Sequence, residues 1–571
     1  MSHDATSPGS KPLADILIQP GELAAPVLHC QEGLSFWGGV DPQTGVIVDA
    51  HHPQYGQSVA GKVLMMPTSR GSCTGSAVLL GLALAGNAPA ALVFREAEDV
   101  LTLGAILANV MFGASIAVLR LGAPRYEALS RCAQAELSQG QLRAGDLGLA
   151  LSPLDRSGLD LSAQDELMLA GGEGAAVQLA METICTVALL QGARRLIDVS
   201  RVHIDGCIYA SPANLVFAQA MKEKGASVRV PTTMNAISVD LPNWRAQGVP
   251  ADFGQPASQL AEAYLAMGAQ PSFTCAPYLL EDKPTAGEPI GWSESNAVIY
   301  ANSALGARTN KHPDFLDLMI AMTGRAPMSG VYLDANRAPA LAIDIAVPDG
   351  ADDTVWPLLG WLAGRLAPDR IPLLTGLAAL QPGPDELKAL CAAFGTTSGA
   401  PMLHIEGVTP EARDGVDGAL ERVSIGKTEL ERAWRALNQG PDAIDLVALG
   451  SPHMSAPECR AFAELMGEEP VASGVSVIVT IGRSEKREIA EDGTLEWLER
   501  LGVTLVSDVC WCSISKPLFP ANARNILTNS GKYAHYGPSL TGCTLRLGSL
   551  AECAVAAKSG TAAVQAPHWL A

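Results

Sequence analysis

The chain has 571 residues, 48% hydrophobic and 17% charged, with 39 Lys and Arg against 59 Asp and Glu for a formal charge of −20. That length accommodates several domains of roughly 100 to 200 residues each, and the acidic excess repels polyanions, which argues against nucleic acid as the main partner. The 12 cysteines are too sparse for a disulfide scaffold, and the absence of any C-x-x-C pair excludes a local zinc-knuckle or ferredoxin-type motif.

The first ten residues carry no cationic stretch followed by an apolar run, so no secretory signal and a cytoplasmic location are expected. Short apolar pieces broken by Gly and an Asp-Pro turn over 27–48 read as strands, and 59–67 reads as another that exits into a glycine-rich turn at 68–76. The stretches 75–94 and 100–119 are uncharged and long enough to cross a bilayer. Gly, Thr, Asn, Pro or Ser dilutes both, so they are expected as buried helix and strand of a β/α module, not as membrane spans. The strand-like piece 114–122 closes that module, and the polar segment 131–145 reads as a helix and linker.

Residues 161–193 are strongly helical with an acidic start and internal glycines that divide the pattern. Strand-like pieces follow at 196–204, 228–233, 331–335 and 341–347, then strand-to-loop transitions at 371–378, 401–410 and 443–450. Late strands at 474–490 and 501–510 surround an amphipathic helix. This alternation predicts an α/β protein, divided into a small domain over 1–135, a linker over 136–154 and a large multi-lobed region over 155–571.

Five local patterns carry chemistry. The turn Pro67-Thr-Ser-Arg70-Gly-Ser72-Cys-Thr-Gly-Ser76 combines free amides, hydroxyls and the Arg70 cation at the start of an apolar helix; a capped turn would contain many of the same residue types. It lacks the Gly-Lys-Ser/Thr ending of a phosphate loop. Alternation in Arg201-Val-His203-Ile-Asp205 predicts His203 and Asp205 on one side of a strand, where a carboxylate can orient an imidazole. Cys275 lies between turn residues and Cys510 at a strand end, where α/β proteins place chemistry. Ser293 and Asn296 in Gly-Trp-Ser-Glu-Ser-Asn can hold a substrate carboxylate, or the serine can cap a helix. The run Asn529 to Gly537 packs Lys532, His535 and two tyrosines into nine residues.

Together these pieces resemble the aconitase X family, a divergent branch of the aconitase superfamily, over nearly the whole chain. The resemblance rests on PTSRGSCTGSAVL, GEPIGWSESNAV, TTSGAPMLHIEGVTPEA, ALGSPHMS and NSGKYAHYGP in that order. It implies an aconitase-like multidomain body with an N-terminal β/α swivelling domain, and dehydration without full isomerisation. The family has a two-subunit form linked to mevalonate 5-phosphate and a fused form linked to cis-3-hydroxy-L-proline. This chain looks like the fused form, needing no separate small subunit and acting on a small hydroxyproline substrate. A noncatalytic metal-binding interaction protein is the contrasting alternative. The resemblance further implies an iron-sulfur cluster, expected as [2Fe-2S], with Cys275 and Cys510 as ligands and Cys207 or Cys512 as a further one. It implies Ser72 as the base. Arg70, Lys532, Ser293 and Asn296 are expected to hold substrate, with His203 and His535 in proton transfer. Ser451 stands where the two-subunit branch has a cysteine in Gly-Cys-Pro-His, and serine is a weaker donor to soft iron.

Overall fold

The computed structural model describes residues 15–49, 52–70, 73–412, 420–562 and 566–571. The chain divides into two compact units, one running to Leu196 and taking in Ala210–Ala213, the other comprising Ile197–Tyr209 and Asn214–Ala571.

The N-terminal unit is built on one nine-stranded sheet. Its strands are β1 (Ile16–Gln19), β2 (Leu23–His29), β3 (Val63–Met66), β4 (Ala91–Phe94), β5 (Ala117–Arg120), β6 (Gln134–Ser138), β7 (Gln141–Ala144), β8 (Leu147–Ala150) and β9 (Ser152–Pro153), in the order β8-β7-β6-β2-β3-β4-β5-β1-β9. β2 to β5 are parallel neighbours. β3, β4 and β5 are buried at every residue, as parallel strands covered on both faces must be. The crossover helices α1 (Gly75–Leu84) and α2 (Val100–Phe112) are apolar and largely buried as well. This is why 75–94 and 100–119 have the composition of bilayer spans: each is a buried helix followed by a buried strand. Among the described residues no helix is long and apolar enough to cross a membrane.

The segment 131–145, read from its Ala, Gln, Glu and Leu content as helix and linker, instead forms most of the antiparallel meander β6-β7-β8. Ala135 and Leu137 of β6, and Leu142 and Ala144 of β7, point into the core between exposed polar neighbours. A period of two with a half-buried face decides the strand over the weaker helical preference of these residues. The same unit carries α3 (Ala123–Ser130), α4 (Ala163–Leu169) and α5 (Ala175–Leu190), the last two separated at the internal glycines as the sequence predicts.

Among the described residues the larger unit has three parallel sheets of three or more strands. The first has strand Val202–Ile204 between Thr232–Met234 and Gly291–Trp292. The second runs His404–Ile405, Pro372–Thr375, Leu341–Ile345, Arg422–Ile425, and the third Val503–Val506, Ser476–Ile481, Leu446–Met454, Asn525–Thr528, Thr544–Leu547. In the third sheet the chain winds outward from Leu446–Met454 in one direction, then returns to its other side at Asn525–Thr528. Open α/β sheets bind ligands at the carboxyl ends of strands where the order reverses in this way. The expected strand at 331–335 is absent; Val331 and Tyr332 are buried by short 3-10 turns instead.

Candidate active site

The carboxyl ends of the first and third sheets supply the chemical groups of the larger unit. From the first come Asp205, Asn235, Ser293 and Glu294; from the third come His453, Cys510, Cys512 and Lys532. Asp205 lies just beyond the end of its strand. The Asp317 carboxylate fixes this turn by accepting the Asp205 and Gly206 amides at 2.7 and 3.2 Å and the Leu318 amide at 2.7 Å. Burial pushes the Asp317 carboxyl up to about 6 against these donors. Asp205 accepts a short hydrogen bond from the Asn235 amide. Burial raises its pKa as well, reinforced by the negative charge of Glu294.

Glu294 is the N-cap of the helix Ser295–Tyr300, accepting the Ala297 amide at 3.0 Å, and the Asn296 side chain also donates to it. Its other oxygen meets the Lys532 ammonium at 2.7 Å. Burial opposes both charges, yet Lys532 draws Glu294 below the ordinary carboxylate range and the surrounding negative groups raise Lys532, so the pair stays ionised. Asn296 also donates to the Cys275 carbonyl at 3.0 Å and accepts the Tyr278 hydroxyl at 2.7 Å. One helix start thereby connects the ammonium to the loop that carries Cys275.

Cys275 and Cys510 pack around Ala236 in one buried apolar nest, with the part-exposed Cys512 against it. The His453 amide donates to the Cys275 sulfur at 3.3 Å. Cys510 and Cys512 share a hydrogen bond that raises the first and lowers the second, and Lys532 favours the thiolate of each. Three sulfurs are soft donors suited to iron, and an amide hydrogen bond to one of them is the kind of outer contact that tunes such a ligand. Among the described residues, however, no group of three or more His, Cys, Asp and Glu side chains is assembled around a single metal-ion position.

Sequence models of the aconitase X swivel domain and of its first, second and third domains match residues 14–142, 158–335, 339–435 and 444–559. A cis-3-hydroxy-L-proline dehydratase of Pseudomonas aeruginosa is 47% identical over 96% of this chain and 97% of its own. The chain belongs to the aconitase X family. A cis-3-hydroxy-L-proline dehydratase of Hypocrea jecorina is 45% identical over 95% of this chain and 94% of its own. The crystal structure of aconitase X from Thermococcus kodakaraensis in its holo-form superposes with a TM-score of 0.64 at 31% identity, covering 70% of this chain and all of that one.

Of the residues singled out in this aconitase X sequence, Cys275, Cys510, Asn296 and Lys532 are brought together. Ser293 is buried directly before Glu294. His203 is fully buried near this group, its Nδ1 2.8 Å from the Thr233 hydroxyl and its ring against Trp292. Burial holds it down to about 4, against the pull of Glu294, and so neutral. It does not bond Asp205, because the strand ends at Ile204 and the carboxylate turns to Asn235 instead. His535, on the helix Gly531–Thr541 three residues from Lys532, accepts the Trp361 indole N–H at one ring nitrogen at 3.2 Å. Cys207 is also set apart, directed at the Ile204 and Asn235 carbonyls, which leaves Cys512 as the further thiol in the nest.

In the N-terminal unit Arg70 pairs with Asp49 at 3.2 Å and Glu32 at 3.5 Å. Its turn is anchored where the Ser69 hydroxyl donates to Glu98 at 2.6 Å, the carboxylate that also accepts two amides at the start of α2. Ser72 lies outside the described residues. Residue patterns did not single out Glu294 or Asp317, and His453 entered only as the last member of a motif. Glu294 had one visible signal, an acidic residue at the cap of a short apolar run; Asp317 sits inside an apolar helix and had none.

Proposed function

We propose that the chain is a cis-3-hydroxy-L-proline dehydratase, a hydro-lyase giving Δ1-pyrroline-2-carboxylate and water. Its similarity to two such dehydratases across nearly their full lengths carries this reading. Loss of the C2 proton and the C3 hydroxyl leaves an enamine that tautomerises to the cyclic imine. In the cis isomer the C2 hydrogen and the hydroxyl lie on opposite ring faces, which suits anti elimination with base and acid on opposite sides.

Cys275 and Cys510, with Cys512, would hold an iron-sulfur cluster of [2Fe-2S] type; such a group supplies Lewis acidity for departure of a hydroxyl. Lys532, with Asn296 and Ser293, orients the substrate carboxylate, and Arg70 adds a cationic contact. His203, neutral and buried, belongs to the proton network. Ser72 is the base that removes the C2 proton, as the family resemblance implies. One chain carries matches to the swivel domain and to the first, second and third domains, which supports a single-chain enzyme without a separate small subunit. The sparse cysteines, with no C-x-x-C pair among them, suit a reducing cytoplasm.

Mevalonate 5-phosphate is the alternative substrate. Its phosphate calls for a cationic or amide-rich cradle, and the sequence carries no phosphate-loop motif to supply one. The test is a side-by-side anaerobic assay of iron-replete protein on both compounds. Imine release from cis-3-hydroxy-L-proline alone is expected. Turnover of only the phosphate compound would move the assignment, and metal binding with turnover of neither would favour a noncatalytic role. Ser72→Ala should retain iron yet lose most turnover and C2 proton exchange.

A further inference from the structure

The two loops that bear the nest cysteines share a construction. Two residues before Cys275, Phe273 has φ +43, and two residues before Cys510, Asp508 has φ +71. Residues with side chains take this left-handed backbone only where their surroundings hold them in it. One guanidinium reaches both. Arg483, at the start of the helix Arg483–Glu491, donates through Nε and Nη2 to the two Asp508 oxygens at 2.6 Å each, and its carbon centre lies 4.7 Å from the centre of the Phe273 ring.

One residue nearer the cysteines the pattern repeats. The His453 ring bridges Thr274 and Val509, with Nδ1 3.3 Å from the Thr274 hydroxyl and Nε2 2.9 Å from the Val509 carbonyl. A carbonyl only accepts, so Nε2 carries the proton; in the neutral ring Nδ1 accepts from Thr274. The hydroxyl of Thr274 in turn accepts the Ala276 amide at 3.1 Å. The backbone of His453 completes the arrangement by donating to the Cys275 sulfur.

We infer that Arg483 and His453 form a two-tier clamp that sets the separation of Cys275 and Cys510. Both are positioning residues for the metal centre, an inference that rests on the reading of these cysteines as its ligands. Two details distinguish the Arg483 to Asp508 contact from an ordinary surface ion pair. The Asp508 side chain is only 1% exposed, and the same residue receives the Ile237 amide at its carbonyl at 2.6 Å and the Leu241 amide at its carboxylate at 3.2 Å. Through Ile237 it also fixes Ala236, around which the sulfurs pack. The planar fork matters, because only arginine can bond both carboxylate oxygens while lying over a ring.

The experiment uses reconstituted full-length protein and reads iron content, the visible absorption spectrum per iron, and the rate of iron loss to a ferrous chelator. Arg483→Gln and His453→Gln should each release iron at least tenfold faster and shift the spectrum. Arg483→Lys, which keeps the charge and loses the fork, should fall between them and wild type. Arg460→Gln removes an exposed arginine paired with two carboxylates, Asp492 and Glu488, neither of which contacts a nest cysteine, and should match wild type. If Arg483→Gln does not fold, Phe273→Leu tests the same tier by removing only the ring. Wild-type release rates and spectra in the clamp variants, with iron bound normally, would overturn the clamp and leave the ligand reading standing. Failure of wild type to take up iron would remove the ligand reading. The clamp would then be judged on metal-free protein, where Arg483→Gln should speed iodoacetamide labelling of Cys275 at least tenfold and an unchanged rate would reject it.

Discussion

The buried Lys532 to Glu294 pair gives the sharpest quantitative expectation. Their side chains are 15% and 7% exposed and their charged atoms 2.7 Å apart. Removing one member of such a pair costs about 3 to 5 kcal/mol, mainly because the other charge is left buried and unpaired. In Lys532→Met the Glu294 carboxylate would keep the Asn296 and Ala297 donors, which places the cost near the lower end, about 3 kcal/mol. Neutralising both, in Lys532→Met with Glu294→Gln, leaves an amide that still accepts the Ala297 N–H. The double variant should therefore be the more stable of the two, losing less than about 2 kcal/mol.

Urea unfolding of metal-free protein, followed by tryptophan fluorescence, compares the variants without a contribution from bound metal. A loss below about 1 kcal/mol in Lys532→Met would show that the pair is solvated and worth no more than a surface contact. A double variant at least as unstable as the single would show that Glu294 is not stranded by loss of its partner. Either result would refute the electrostatic argument. Under the proposed substrate role, Lys532→Met should also raise KM for cis-3-hydroxy-L-proline at least tenfold in iron-loaded protein.

Further outcomes follow from the positions of individual side chains. Cys275→Ser, Cys510→Ser and Cys512→Ser should each lower iron content and weaken visible absorption, whereas Cys207→Ser should leave both unchanged; iron analysis of the four variants distinguishes the nest from its neighbour. His535→Gln should change kcat less than twofold, since its ring partners Trp361; a loss above tenfold in steady-state assays would return it to the chemistry. His312, fully buried with its Nε2 2.9 Å from the Tyr332 hydroxyl, is held down to about 3 by burial. Because the folded state resists its protonation, its stabilising contribution is complete above the ordinary value of 6.5 and is lost as pH falls toward 3. That loss amounts to about 5 kcal/mol at roughly 1.4 kcal/mol per pH unit. Asp317, raised from 3.8 to about 6, works the opposite way, its contribution lost as pH rises through that window. His312→Gln should flatten the acid limb of stability against pH, read by urea midpoints from pH 7 to 4; an unchanged slope would contradict this account.

Much of the architecture was visible in the chain before folding because it depends on local pattern. The uncharged runs at 75–94 and 100–119 match helix and strand buried on all sides, and the glycines at 171, 172 and 174 divide α4 from α5 as expected. The segment 131–145 favours helix by composition, but a period of two that matters only once a core covers one face overrides that preference and makes it part of the meander. Cys275, Cys510, Asn296 and Lys532 stood out as reactive types at turns and strand ends. Their convergence was not legible from spacing, since Cys275 and Cys510 are brought together around Ala236 by the order of strands in two different sheets. The same holds for Glu294 opposite Lys532, and for Arg483 and His453, which bridge loops more than 200 residues apart in sequence. Sequence alone determines which groups are available and which stretches prefer helix or strand, through interactions spanning a few residues. Which donors share a nest, which charge is neutralised and which imidazole remains outside are decided by tertiary packing, because burial and a few ångströms of separation control those energies.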